Sequence, residues 1–277
     1  MGLRIGTNTQ SLAAQRNLGI NTSMQKSSLE KIASGTRINK AADDAAGLAI
    51  AEKMRGTIRS IRQNTRNGND GISMIQTAEG GMNEISNILV RFRELSIQSA
   101  SDTITDTERG FINKEVQQLR SEVDRISQAT EFNGKKLLNG EGDKLDIQIG
   151  QNNNAMIDRF SYDTSKTNST VSGLGLGNIS TESKESSQAN LEKIDMAIKT
   201  LSGNRAELGA LQNRLQSSVN NLAVYDENLS AARSRIYDVD MASETAELTK
   251  QNILSQAGVS VLAQANQNSQ SALKLLG

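Results

Sequence analysis

Residues 72–95 read ISMIQTAEGGMNEISNILVRFREL, and their spacing decides the fold. Ile72, Ile75, Ala78, Met82, Ile85, Leu89, Phe92 and Leu95 recur at steps of three and four, which places all eight on one face of an α-helix. Upstream the stripe continues through Gly68, Thr65, Ile61 and Ile58 towards Leu48. Proline is absent from all 277 residues, so nothing forces this helix to break. One helix is expected from about Ala45 to Ala100, roughly 80 Å long at 1.5 Å per residue. A 3-3 step at Ile72–Ile75–Ala78 interrupts the heptad as a stammer does. Such a length suits a rod.

Two further stripes follow the same rule. After a turn at Ser101-Asp102-Thr103, with Asp106 or Thr107 placed to cap, Ile112, Val116, Leu119, Val123, Ile126 and Thr130 mark a second helix. It ends near Phe132-Asn133-Gly134, where Asn-Gly signals a turn. Leu191, Ile194, Ile198, Leu201, Leu208, Leu211, Leu215, Leu222, Tyr225, Leu229 and Ile236 mark a third helix, with a matching 3-3 step from Arg205 through Leu208 to Leu211. Between them Leu145, Ile147 and Ile149 alternate with polar residues, and a returning strand is expected through Phe160 and Tyr162. Residues 161–188, rich in Ser, Thr and Gly, read as an exposed excursion. The fold class is therefore mainly α: a long antiparallel, coiled-coil-like bundle with a small β-hairpin at about residues 140–165. Each buried stripe Leu or Ile stabilises it by about 1.5–3 kcal/mol.

The extremities are poorer. Residues 1–39 offer only Ile5, Leu12, Leu18, Met24, Leu29 and Ile32 among Ser, Thr, Asn and Gln. Residues 239–277 offer Ile253, Leu254, Val261, Leu262, Leu273, Leu275 and Leu276 among Ala, Ser, Gln and Asn. Neither end buries enough to offset its ordering entropy, so both are expected to be disordered in a lone chain and to order when partners cover them. Ends that need a partner imply assembly.

Composition narrows the function. With no His and no Cys, HExxH sites, Ser-His-Asp triads and thiolate nucleophiles are excluded, and neither an enzyme nor a cofactor is expected. The acidic pairs Asp43/Asp44 and Asp238/Asp240 lack an EF-hand spacing and read as capping or solvated carboxylates, so no metal is expected. Thirty-one basic residues balance thirty-one acidic ones along the chain, which argues against nucleic acid as a partner. No window is apolar enough to span a bilayer. The opening Met1-Gly2-Leu3-Arg4-Ile5-Gly6 lacks the apolar core of a cleaved signal peptide, so any export is expected to use another route.

Long ordered words then match a family. The runs Ser34-Gly35-Thr36-Arg37-Ile38-Asn39 and Ala42-Asp43-Asp44-Ala45-Ala46-Gly47-Leu48-Ala49-Ile50 resemble the bacterial flagellin N-terminal signature. So do Arg66-Asn67-Gly68-Asn69-Asp70-Gly71-Ile72-Ser73, Gln76-Thr77-Ala78-Glu79-Gly80 and, further on, Glu131-Phe132-Asn133-Gly134. Ala231-Ala232-Arg233-Ser234-Arg235-Ile236 and residues 256–267, QAGVSVLAQANQ, resemble its C-terminal signature. The resemblance covers all but roughly residues 140–187 and implies a short flagellin without large outer domains. It implies paired terminal helices forming an inner coiled coil from residues 1–44 with 236–277, and a rod domain at 45–235 with residues 161–188 outermost. It further implies a secreted helical homopolymer of the flagellar filament, serving motility. An export chaperone at the C-terminal helix, and hook–filament junction and cap proteins, are the implied partners. Ser269 stands where members usually carry a proline, which leaves the last helix without an obvious stop.

Arg37, Asp43, Asp44, Arg91, Arg93, Glu94, Arg233 and Arg235 are the candidate subunit-interface residues. For Asp43 and Asp44 the competing reading is a cap on the helix starting near Ala45, and for the Arg91–Glu94 cluster it is a solvated face. Arg91, Leu95 and Glu115 match positions that an animal innate-immune receptor reads in many flagellins, with Val90 standing where recognised relatives carry glutamine. A hook–filament junction protein and a soluble coiled-coil scaffold are the rival readings. The first predicts short polymers or none, the second protease-resistant ends.

Overall fold

The computed structural model describes residues 7–142 and 144–274. Ile5, Leu275 and Leu276 lie outside them, as does the side chain of Leu273. The elements run α1 (Thr9–Ser34), α2 (Ala45–Ser99), α3 (Asp106–Ala129), β1 (Glu131–Phe132), β2 (Lys135–Lys136), β3 (Lys144–Gln148), β4 (Arg159–Asp163), α4 (Lys184–Tyr237) and α5 (Met241–Lys274). The chain is mainly α, with two small antiparallel strand pairs. It divides into two compact units, Thr57–Glu227 and the two ends Met1–Gly56 with Asn228–Gly277. Both boundaries fall inside helices, α2 and α4, further into the chain than the 44/45 and 235/236 limits read from the sequence. No turn residue marks them because the helices run through.

In the unit 57–227, α2, α3 and α4 bury their stripes in one core. Ile75, Ala78, Met82, Ile85, Leu89, Phe92 and Leu95 of α2 meet Val116 and Val123 of α3 and Ile194, Ala197, Leu201, Leu208 and Leu215 of α4. Surface ion pairs Arg62–Asp226 and Arg93–Asp195 tie α2 to α4 antiparallel, and Arg91–Glu115 ties α2 to α3. Two glycines of α2 set close approaches. A Cβ on Gly68 would meet Val219 at 2.7 Å, and one on Gly71 would meet Ile147 of β3 at 2.7 Å. The β3–β4 hairpin, with Leu145 opposite Tyr162 and Ile147 opposite Phe160, settles on α2 there, where Asn67 Nδ2 donates to the Gln148 carbonyl. The β1–β2 pair turns through Asn133 and Gly134 at φ 49° and 76°, the positive angles that Asn-Gly tolerates in a two-residue hairpin turn.

The cap of α3 differs from the sequence expectation. Neither Asp106 nor Thr107 caps it; Thr105 does, in a reciprocal box with Glu108. Buried Arg109 then donates to the carbonyls of Ser99 and Ser101, satisfying the end of α2. The Thr105 backbone N–H, and secondly its hydroxyl, hold the Glu108 carboxyl below its usual range. A depressed carboxyl contributes stability that is fully present above the ordinary glutamate value of about 4.3 and is lost as pH falls through the lower folded value. The stability difference between wild type and Glu108→Ala in urea titrations should therefore be larger at pH 7 than in acid, shrinking as pH falls below the ordinary glutamate value. A constant difference across that range would show that the box does not titrate.

Residues 161–188 are not an exposed excursion. Thr164, Thr167, Ser169, Val171, Leu174, Leu176, Ile179, Thr181 and Ser187 are all buried. The segment runs antiparallel to α3, whose polar side chains answer its backbone. Asp124 accepts from Val171 N, Arg120 donates to the Gly177 carbonyl, Gln117 donates to that of Ile179, and Asn113 accepts from Thr181 N. A few apolar plugs suffice because the peptide groups find partners without regular structure.

Candidate assembly interface

In the unit formed by the two ends, α1 and α5 pair antiparallel: Ser11 donates to Asn266, Gln25 donates to Asn252, and a Cβ on Gly258 would touch Leu18. Buried and half-buried α1 positions include Ser11, Ala14, Leu18, Asn21, Gln25, Ser28 and Ile32, a strict three-four alternation, with Ala13, Thr22 and Lys31 flanking it. Those of α5 include Glu244, Leu248, Gln251, Ser255, Gly258, Leu262 and Ala265, in the same rhythm. This is a heptad seam built mostly from small and polar residues, where a stable coiled coil places Leu and Ile. Apolar-stripe counting misses it, although its heptad spacing is visible in the sequence.

Apart from Leu18, Ile32, Leu248 and Leu262, large apolar side chains point elsewhere. Leu12, Ile20, Met24 and Leu29 of α1 and Leu254, Val259 and Val261 of α5 are exposed, and Ile253 is 61% exposed. At 100° per residue Ile253 sits about 140° around α5 from Gly258, while Val259 sits about 100° the other way. Uncovered apolar residues thus occupy more than one face of the same helix. A helix apolar on several sides is one that gets buried on several sides.

The junction between the paired helices and α2 and α4 brings residues 34–47 and 231–237 of the sequence together. The Arg37 guanidinium donates to the Ile236 carbonyl at 2.6 and 3.1 Å, and Arg37 N donates to the Tyr237 carbonyl. Asp44 caps α2, accepting from Gly47 N at 2.8 Å, and lies 3.7 Å from Arg37. Asp43 accepts from Asn39 N and Lys40 N, and the Lys40 bond first, then that of Asn39, holds its carboxyl below the usual range. Both carboxylates therefore cap backbone within the chain. Arg233 lies over the Tyr237 ring at 4.8 Å, and Arg235 is exposed in the last turn of α4.

Arg91, Arg93 and Glu94 lie on the surface of the other unit. Arg91 donates to Glu115 and Glu94, which raises its pKa, with Glu115 the larger cause. Arg93 pairs with Asp195 at 2.8 Å. Leu95, by contrast, is 2% exposed and belongs to the core, so of the three receptor-matching positions only Arg91 and Glu115 present side chains outward. No group of three or more metal-ligating side chains occurs among the described residues, and none of their helices is long and apolar enough to cross a membrane.

The pattern of the bacterial flagellin N-terminal helical region matches residues 5–143, and that of the bacterial flagellin C-terminal helical region matches residues 191–276. The chain belongs to the bacterial flagellin family. It is 44% identical to a flagellin of Halalkalibacterium halodurans over 98% of this chain and 99% of the relative. It is 41% identical to a flagellar filament 30.7 kDa core protein of Treponema maltophilum over 98% and 99%. Among solved structures, the crystal structure of Bacillus cereus flagellin superposes with a TM-score of 0.51 at 29% identity, covering 61% of this chain and 94% of that one. Matching both flagellin regions along nearly the full length of such relatives accounts for the helical ends as well as the rod. For this flagellin the quoted words fall on the Arg37–Asp44 junction, on α5, along α2 and at the β1–β2 turn.

Proposed function

We infer that this chain is the repeating structural subunit of a bacterial flagellar filament, built for swimming, and that its ends complete their packing only against neighbouring copies. The observation that carries this is the α1–α5 pair: a polar seam inside and uncovered Leu, Ile and Val on several faces outside. A single partner would cover one face, whereas a polymer covers them all. Apolar burial is then gained on assembly, so the monomer stays dispersed and the polymer is stable. The role is structural rather than enzymatic. An extracellular location, an escort at the C-terminal helix, and hook–junction and cap partners are the further parts of this reading. Arg37 with Asp43 and Asp44, Arg91 with Arg93 and Glu94, and Arg233 with Arg235 are its register contacts between copies, which rigid anchoring within the chain would pre-organise.

Seeding purified protein with salt and imaging it by negative stain should reveal long tubes. Short stubs or none would favour the junction protein instead. The weak seam also bears on the lone chain. Although α1 and α5 are helices, most of what they bury is Ser, Ala, Asn and Gln, so their pairing is expected to open readily in dilute solution. Brief trypsin treatment of the monomer should trim both ends and leave a fragment of about residues 45–235 that no longer assembles. Intact ends after such treatment would support a self-sufficient scaffold.

A further inference from the structure

The loop joining β3 to β4 carries two apolar side chains at its tip, Met156 at 94% and Ile157 at 79% exposure. They rise from a polar base that is firmly tied. Asp158 is buried, and its carboxylate accepts from Asn152 N and from Asn154 N at 2.9 Å. Its backbone carbonyl accepts from Ile149 N and Gly150 N at 2.8 and 2.9 Å. Gln148 Nε2 donates to the carbonyls of Gly150 and Asn152, both at 2.8 Å, and Asn154 Oδ1 accepts from Met156 N at 3.0 Å. A loop held this way loses little freedom on binding, so the cost of ordering its tip is already met by the fold.

We propose that Met156 and Ile157 form a docking knob that inserts into the surface of a second copy of this chain within the polymer, a contact that rests on the filament reading above. Three features select that occupant. Residues 151–157, QNNNAMI, hold no charge, which leaves nucleic acid, acidic lipid and charged ligands without a counterpart. Two side chains supply only a small part of the ~1,200 Å² that a stable stand-alone interface buries, so the knob cannot retain a separate partner by itself. In a polymer the neighbouring copy is already held nearby by other contacts, and a small patch then adds its full weight at high effective concentration. Met also suits such a contact, since its unbranched thioether adapts to an irregular recess.

The chain has no cysteine, so Met156→Cys introduces a sole thiol. Its labelling rate with a maleimide dye is measured in dilute monomer and in seeded filaments. At least tenfold slower labelling in filaments is expected, and equal rates in the two states would overturn the knob while leaving the filament intact. The double variant Met156→Ser/Ile157→Ser should assemble with a critical concentration raised about tenfold and an unchanged monomer melting curve. An unchanged critical concentration would again overturn it. Wild-type protein that forms no filaments under the same seeding would overturn the filament reading, and this contact with it.

Discussion

Phe92→Ala should lower the stability of the monomer by about 3–5 kcal/mol, the usual cost of emptying an aromatic site in a core that cannot fully collapse. Phe92 is fully buried and sits near the C-terminal end of the α2 stripe, between Leu89 and Leu95, in the cluster that also takes in Val116, Val123 and Ile194. Helices α2 and α4 are long and clamped at several points by ion pairs, so little inward relaxation is available to refill the space. For a unit of this size each kcal/mol moves the melting midpoint by roughly 2–4 °C, so a fall of about 10 °C or more is expected by calorimetry or circular dichroism. Neighbouring Arg91→Ala should cost far less, because its partners Glu94 and Glu115 are exposed and water replaces them readily. Equal losses at the two positions would mean that the rod is held by its charged surface and not by its core.

The rod was legible because apolar periodicity is a strong signal when it is sustained. The stripes from Ile58 to Leu95, from Ile112 to Thr130 and from Leu191 to Ile236 correspond to α2, α3 and α4, and proline-free sequence lets each run unbroken. The same reasoning failed where burial is not apolar. Residues 161–188 looked like an exposed excursion because Ser, Thr and Gly dominate, yet Asn113, Gln117, Arg120 and Asp124 of α3 satisfy backbone within it from outside, which no local pattern announces. The α1–α5 seam escaped for a related reason. Ser11, Ala14, Asn21, Gln25 and Ser28 keep heptad spacing, but a search for Leu and Ile sees only Leu18 and Ile32 on that face and scattered residues elsewhere. Leu95 carried two readings, a stripe residue by periodicity and a receptor-matching position by resemblance, and its burial agrees with the first. Family words identify positions; burial decides what a side chain there can touch.

Replacing Ile253 and Val259 together by glutamine should impair assembly strongly while leaving the monomer as it was. Glutamine is a good helix former, so α5 keeps its propensity. Neither residue lies in the heptad seam, so pairing with α1 is untouched. What changes is the apolar surface on two faces of the helix, 61% exposed at Ile253 and 55% at Val259. Full burial of such a side chain stabilises by about 1.5–3 kcal/mol, and roughly half of that is still to be gained at each position. The pair together then contributes about 2 kcal/mol per subunit to the polymer, which raises the critical concentration ~30-fold. Sedimentation of seeded material across a concentration series measures this directly. Replacing the seam residues Gln25 and Gln251 by leucine makes the opposite case, since a tighter α1–α5 pair should protect the ends from trypsin in the monomer. If the glutamine variant assembles at the wild-type concentration, the uncovered faces of α5 are not where copies meet, and the apolar side chains around it need another explanation.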